Sequence, residues 1–323
     1  MNRSGWDAGD KPVSSVIDVL GEGFAIAINR PLLIVPLIVL ELALLFAPQL
    51  TVGNSARDIA VEVNERGVRW AVVGDGIARL EGYNVLDLVV LGLPRIRVAA
   101  FAPVAGKSRN VPGWHDRRVV AAGALTAPAA LFSAIAGIVF VAYFRLMLAS
   151  GIRSEGATTS RRRLRSLAEL AARLTAAALT AVGLLIIVGL PVVLGTILLT
   201  MFDLPGAAFL WLMLLVPVAW GIVHFYFVVH ALVVDRLPVL PAFRASYQVV
   251  RRDPWQAARF IGVSLLLSTG LTYPLESIAR KPEWAVLAVV LNAFLATGMI
   301  LAAMLFYRDR ARHLGLSPHQ EGA

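Results

Sequence analysis

The chain has 323 residues, of which 58% are hydrophobic and 16% charged, with 30 Lys and Arg against 21 Asp and Glu for a net charge of +9. Soluble domains run at about 45–50% apolar and about 25% charged, so the composition excludes an ordinary soluble enzyme; the absence of Cys excludes disulfides, thiolate metal sites and cysteine nucleophiles. The apolar residues gather in blocks of about twenty, the length that crosses ~30 Å of hydrocarbon, and no separate basic, aromatic-rich segment points to nucleic acid.

Residues 1–30 read as a cytoplasmic amphipathic segment, with Val13, Val16, Ile17, Leu20 and Phe24 on one helical face opposite Ser14, Asp18 and Glu22. Its acidic residues make it unlike a cleaved secretory signal. A first span follows from Pro31 to Leu50. Residues 51–118 form an extracytoplasmic loop. Within it, Ile59 to Val73 alternates apolar and polar residues around Asn64 to Gly67, which predicts a β-hairpin, with an amphipathic helix as the rival. Residues 84–103 are apolar but broken by Asp87, Pro94, Arg95 and Arg97, so they are expected to lie on or dip into the outer interface. The second span runs from Val119 to Leu148 and carries a small-residue ladder, Ala129, Ser133 and Gly137, suited to close helix packing.

A cytoplasmic elbow at 149–175 leads to the third span, Ala176 to Phe202, which turns through Asp203–Gly206 into the fourth, Ala207 to Val234. A second elbow at 235–256 precedes the fifth span, Ala257 to Tyr273; the sixth runs from Trp284 to Tyr307 and leaves a tail at 308–323. The expectation is a single all-α membrane domain over 1–323, a polytopic bundle of six spans in three hairpins, each preceded by an amphipathic interfacial helix. With both termini inside, eighteen of the 30 basic residues fall on the inner face, which orients the chain N-in and C-in in the cytoplasmic membrane. Two elbows match locally: Phe24 stands seven residues before Pro31, preceded by Arg30, as Tyr247 stands seven before Pro254, preceded by Asp253.

The segments FAIAINRPLLIVPLIVLELALL and ASYQVVRRDPWQAARFIGVSLLL, with six spans, resemble the six-helix integral membrane proteins related to the glycerophosphoryl diester phosphodiesterase membrane domain. The resemblance implies a membrane module with anchoring, assembly or transport roles. The catalytic barrel fused to that domain in multidomain relatives has no counterpart here, so phosphodiesterase activity is not implied. Asp75-Gly76-Ile77-Ala78-Arg79 reproduces the opening of the CDP-alcohol phosphotransferase motif, whose aspartates hold metal ions, but the downstream Gly and two further Asp at fixed short spacing are missing, Asp87 being the one Asp that follows closely. It is expected to be non-catalytic.

Ionisable groups inside spans default to functional candidates. Glu41 lies ten residues into the first span, about 15 Å deep, and His224 lies ten residues before the inner end of the fourth. The two form a candidate intramembrane polar pair, against the plainer reading that each is satisfied by interhelical hydrogen bonds. His230, Asn292, Tyr226 and Arg145 read as interfacial or interhelical contacts. Pro191 and Pro217 fall at similar depths of the third and fourth spans and are candidate hinges. Arg161, Arg162, Arg163, Arg165, Arg251 and Arg252 are the candidate anionic-lipid contacts. No catalytic constellation, metal set or cofactor motif stands out. The expected function is therefore a non-enzymatic anchor, lipid-interacting or assembly module whose partner is the bilayer, with a second copy or another membrane protein compatible; the alternative is a proton- or ion-coupled permease using Glu41 and His224.

Overall fold

The computed structural model describes residues 14–46, 49–51, 54–65, 119–121, 126–153, 160–202, 207–279 and 282–316. They are helical almost throughout. The elements are α1 (Val16–Asn29), a 3-10 turn (Pro31–Leu33), α2 (Val35–Phe46), β1 (Gln49–Thr51), α3 (Asn54–Glu65), β2 (Val119–Ala121), α4 (Thr126–Arg153), α5 (Ser160–Met201), α6 (Ala207–Phe225), α7 (Val228–Val234), α8 (Val239–Arg252), α9 (Pro254–Gly270), α10 (Thr272–Ala279) and α11 (Pro282–His313). The two short strands pair in parallel, Gln49 opposite Val119.

Four stretches are long and apolar enough to cross a membrane: Ala127–Ile152, Leu164–Leu199, Phe209–Val234 and Glu283–His313. A fifth is added if the sharply bent pair formed by α1 and the segment from Pro31 counts as one crossing. The first expected span is corrected: Pro31 to Leu50 is not one helix but a 3-10 turn, the 12-residue α2 and the start of β1. Twelve residues rise only about 18 Å. The second span begins later than expected, since Val119–Ala121 is strand. The fourth is interrupted at Tyr226–Phe227, and α9, with 17 residues, ends before the expected Tyr273.

Proline marks two of the elbows. A residue preceding proline is pushed out of the α region by the pyrrolidine ring. Arg30, before Pro31, adopts φ −131° and ψ 69°, and Asp253, before Pro254, adopts φ −138° and ψ 70°, so the two matched sequence segments break their helices in the same way. Asp253 also caps the next helix, its Oδ1 accepting the Gln256 amide at 3.3 Å. The middle elbow is a correction. No proline lies between Ser160 and Leu190, and α5 runs as one 42-residue helix through both the basic segment and the expected third span. The hairpin reading of Ile59–Val73 is corrected as well: Ile59 to Glu65 belongs to α3, where the period places Ala60 inside and Val63 half-buried. Residues 66–73 and 84–103 lie outside the described residues.

The chain divides into two compact units that share helices α5, α9 and α11: one comprises 1–28, 172–263 and 298–323, the other 29–171 and 264–297. In the first, α1 is started by a reciprocal capping box, Ser15 Oγ accepting the Asp18 amide and Asp18 Oδ2 the Ser15 amide, both at 3.2 Å. Val16, Val19, Leu20, Gly23 and Ala27 form its buried face, while Ile17, expected on that face, is 80% exposed. Gly23 lies against the α11 backbone at Gly298 and Ala302, and the ring of Phe24 covers Gly298. The apolar face of α8 (Ala242, Ala245, Val249, Val250) is buried, with α6 and α7 as its packing partners. Phe227, Phe260 and Phe306 complete the core, with ring centroids 5.2 Å apart for Phe227–Phe306 and 4.4 Å for Phe260–Phe306. In the second unit, Leu275, Ala279, Ala285, Ala288 and Val289 form an apolar cluster against Ile38 and Leu42 of α2, and Arg30 donates to the Gly151 carbonyl at 2.5 Å.

Candidate functional site

The buried polar groups fall into two sets, one in each unit. In the second unit, the α2 position of Glu41 aims its carboxyl toward α11, where Asn292 Nδ2 donates to Glu41 Oε1 at 2.6 Å. Both residues are buried, and the apolar cluster around Ile38 and Leu42 surrounds this part of α2. An amide can donate to a carboxyl in either protonation state, because a protonated carboxyl keeps an acceptor oxygen. Asn292 therefore holds Glu41 in place without fixing its charge.

The first unit gathers a larger set where α7, α8 and the end of α11 meet. Tyr307 donates its hydroxyl to Asp235 Oδ2 at 2.7 Å, with both residues buried. The next residue, Arg236, has φ +54°, a left-handed conformation that costs a non-glycine residue about 1–2 kcal/mol. Arg173 of α5 holds this turn by donating to the Arg236 carbonyl and, at 3.2 Å, to that of Leu237. The guanidinium of Arg310 lies 3.4 Å over the Phe306 ring, and its Nε and Nη1 have no hydrogen-bond partner among the described residues. Ser14 donates to Asp309 at 3.0 Å, joining the start of α1 to the end of α11.

His224 sits at the end of α6, half-buried, with Nδ1 2.9 Å from the Trp220 carbonyl. A carbonyl only accepts, so Nδ1 carries the proton of this bond. The ring stacks on Trp220 with centroids 4.1 Å apart and tilts against Tyr247 at 5.5 Å. Ser246 of α8 ties the α6 end to the following turn, donating to the His224 carbonyl at 2.7 Å and accepting the Phe227 amide at 3.2 Å. Glu41 and His224 belong to different units, each with the local partner described.

Arg165, Arg251 and Arg252 are exposed, and Arg161, Arg162 and Arg163 occupy the first turns of α5, their side chains outside the described residues. Pro191 and Pro217 lie exposed inside α5 and α6. Asp75 to Arg79 falls outside the described residues. Of the small-residue ladder, Ser133 and Gly137 are buried, so that face of α4 is turned inward. No group of three His, Asp or Glu suited to a metal ion occurs among the described residues.

Sequence reasoning missed the Asp235–Tyr307 bond. The signal was available, because both residues close an apolar stretch at the expected inner face, the same depth argument applied to Glu41 and His224.

No family model, curated protein or solved structure matches the chain. The apolar helices fit a multi-pass membrane protein.

Proposed function

We propose that the protein is a non-enzymatic module of the cytoplasmic membrane, acting as an anchor, lipid-contacting or assembly component. The observation that carries this reading is the lack of protein cover on α5 and α6. None of the apolar window of Leu164–Leu199 is buried and only 11% of that of Phe209–Val234, against 72% for Glu283–His313. A helix apolar on all sides is stable where hydrocarbon or another apolar helix surrounds it. Six crossings in three hairpins, N-in and C-in, follow if Pro31–Phe46 and α9 with α10 supply the two short crossings; the 17 residues of α9 rise about 25 Å of the ~30 Å needed. That arrangement puts Arg161–Arg163, Arg165, Arg251 and Arg252 at the inner surface, where each basic residue adds about 1 kcal/mol of attraction to anionic lipid. Kinship with the glycerophosphoryl diester phosphodiesterase membrane domain is part of the same proposal, as is a second copy or another membrane protein as partner.

The test uses the absence of Cys. A single cysteine replacing Ser277 should react with an impermeant maleimide in intact cells, and one replacing Gln248 should not; the opposite pattern overturns the orientation. Changing the six arginines to Gln should lower the anionic phospholipid that co-purifies with the full chain, and an unchanged lipid composition refutes the lipid-contact role.

The buried Glu41–Asn292 bond favours one second reading, a proton- or ion-coupled permease using Glu41 and His224, with Pro191 and Pro217 as hinges. Unchanged ligand-dependent proton flux in proteoliposomes carrying Glu41→Gln and His224→Ala would remove it.

A further inference from the structure

The first turns of α9 present three exposed residues on one helical face, Trp255, Arg259 and Gly262, at i, i+4 and i+7. They lie in one compact unit with Arg251 and Arg252, the exposed last residues of α8. Trp255 is 65% exposed, and the guanidinium carbon of Arg259 sits 4.9 Å from the centroid of its ring. Arg259 thereby reaches back one turn toward the elbow at Asp253, the direction in which helical side chains lean. Stacking occupies the flat face of a guanidinium and leaves free the edge from which its five N–H donors project. Among the described residues, no side-chain hydrogen bond or ion pair takes up the donors of Arg259 or of Arg252, whereas Arg30 and Arg173 donate theirs to backbone carbonyls. Arg252 and Trp255 are three residues apart, at most about 11 Å between Cα atoms. The carboxylate between them is engaged: Asp253 accepts the Gln256 amide and lies within electrostatic reach of the buried Arg310. One turn beyond Arg259, about 4.5 Å further along the axis, the same face carries no side chain, because at Gly262 an added Cβ would meet nothing within 4 Å.

We infer that Arg259, Trp255 and Gly262, with Arg252, form a headgroup site for one anionic inner-leaflet glycerophospholipid, an assignment that rests on the membrane orientation proposed above. In that orientation α9 enters the bilayer at the elbow. Trp255 then stands at the interface, where indoles collect, and the Arg259 edge is held beside it. A planar guanidinium matches two oxygens of a phosphodiester. The gap at Gly262 lies on the same face, one turn toward the hydrocarbon, and admits the glycerol and the first methylenes. Charge at the water end and a gap at the membrane end follow the order of parts in a phospholipid. An acidic protein segment would use the charge alone and gain nothing from the gap. Two guanidinium groups with no committed carboxylate select an anionic lipid over a zwitterionic one, whose own ammonium would face them.

The full-length protein, exchanged into nanodiscs of equal phosphatidylglycerol and phosphatidylcholine, is the material for the test, with retained lipid read by native mass spectrometry. The wild type should hold one phosphatidylglycerol more tightly than the surrounding lipid. Arg259→Gln should lower the preference for phosphatidylglycerol over phosphatidylcholine about fivefold, and Trp255→Leu, which removes the ring beneath the guanidinium, should lower it in the same direction. Gly262→Leu fills the gap without meeting a neighbour at its Cβ and favours the helix, so the variant should fold and yet lose the tight lipid. Arg165→Gln removes an exposed charge from another helix and should change the preference less than twofold. Retention of the tight lipid in both Arg259→Gln and Gly262→Leu overturns the site, as does a tight lipid without charge preference. Displacement of the tight lipid by inorganic phosphate would make the ligand a soluble anion and overturn the lipid assignment. If the six-arginine variant loses anionic lipid while Arg259→Gln and Gly262→Leu do not, only the headgroup site fails; if none of the three changes lipid binding, the lipid-contact reading fails with it.

Discussion

Two glycines in one helix should respond with opposite signs to the same substitution. A Cβ added to Gly23 would lie 2.6 Å from the Ala302 amide nitrogen and 2.7 Å from the Gly298 carbonyl oxygen. Both are backbone atoms of α11, so no side chain can rotate away. Comfortable separation is about 3.5–4.0 Å, so α1 must retreat from α11 by about 1 Å. A gap of that size forfeits a quarter to a half of each contact along the helix, and overpacking of this kind costs about 1–3 kcal/mol. At Gly21 nothing lies within 4 Å, and alanine there gains about 0.5–1 kcal/mol of helix stability. The same propensity gain applies at Gly23, so the difference between Gly23→Ala and Gly21→Ala isolates the packing cost at about 1–3 kcal/mol. Equilibrium unfolding in detergent micelles reads the stabilities, and amide exchange of α1 reads its docking. Gly21→Ala should raise the midpoint, and Gly23→Ala should lie below Gly21→Ala with faster exchange over Val16–Asn29. Equal shifts in both variants, with α1 exchange unchanged, would refute the close approach of α1 to α11.

Further outcomes follow from the buried polar bonds and the strained turn. Asn292→Ala removes the 2.6 Å bond to Glu41 and should lower stability by about 0.6–1.7 kcal/mol, the range for hydrogen bonds inside membranes; a neutral result in the same unfolding assay would make the bond energetically idle. Tyr307→Phe deletes the hydroxyl that Asp235 accepts and should cost about 1–2 kcal/mol, with Asp235→Asn milder because it keeps an acceptor oxygen. Arg236→Gly relieves a left-handed residue while leaving its carbonyl for Arg173, and should stabilise by up to about 1 kcal/mol; destabilisation instead would show that the Arg236 side chain contributes more than its backbone conformation costs.

Apolar blocks of span length were legible because they need only local counting, and α4, α5, α6 with α7, and α11 lie where those blocks fall. The breaks at Arg30 and Asp253 were legible too, since a proline acts on its immediate neighbour. What counting could not give was the continuity of α5. Basic residues at 161–165 look like an interface, but a charge pattern does not end a helix, and without a proline or capping signal between Ser160 and Leu190 nothing stops propagation. Rotation about the helix axis was equally hidden: Ile17 was expected inside yet is exposed, while Val19 and Gly23 are buried, because the contact is set by where α11 offers glycine. The bond from Glu41 to Asn292 joins residues 251 apart; depth arguments narrow such partners to a layer, and only packing selects among them.

The 42 residues of α5 extend about 63 Å, some 20 Å more than a bilayer with its headgroups, about 40–45 Å. Its proline-free part, Ser160 to Leu190, alone runs about 46 Å as one helix, whereas α1 and α2 are separated by a break at Arg30. The break at Arg30 and the continuity of α5 differ by a single proline, present before α2 and missing along the first thirty residues of α5.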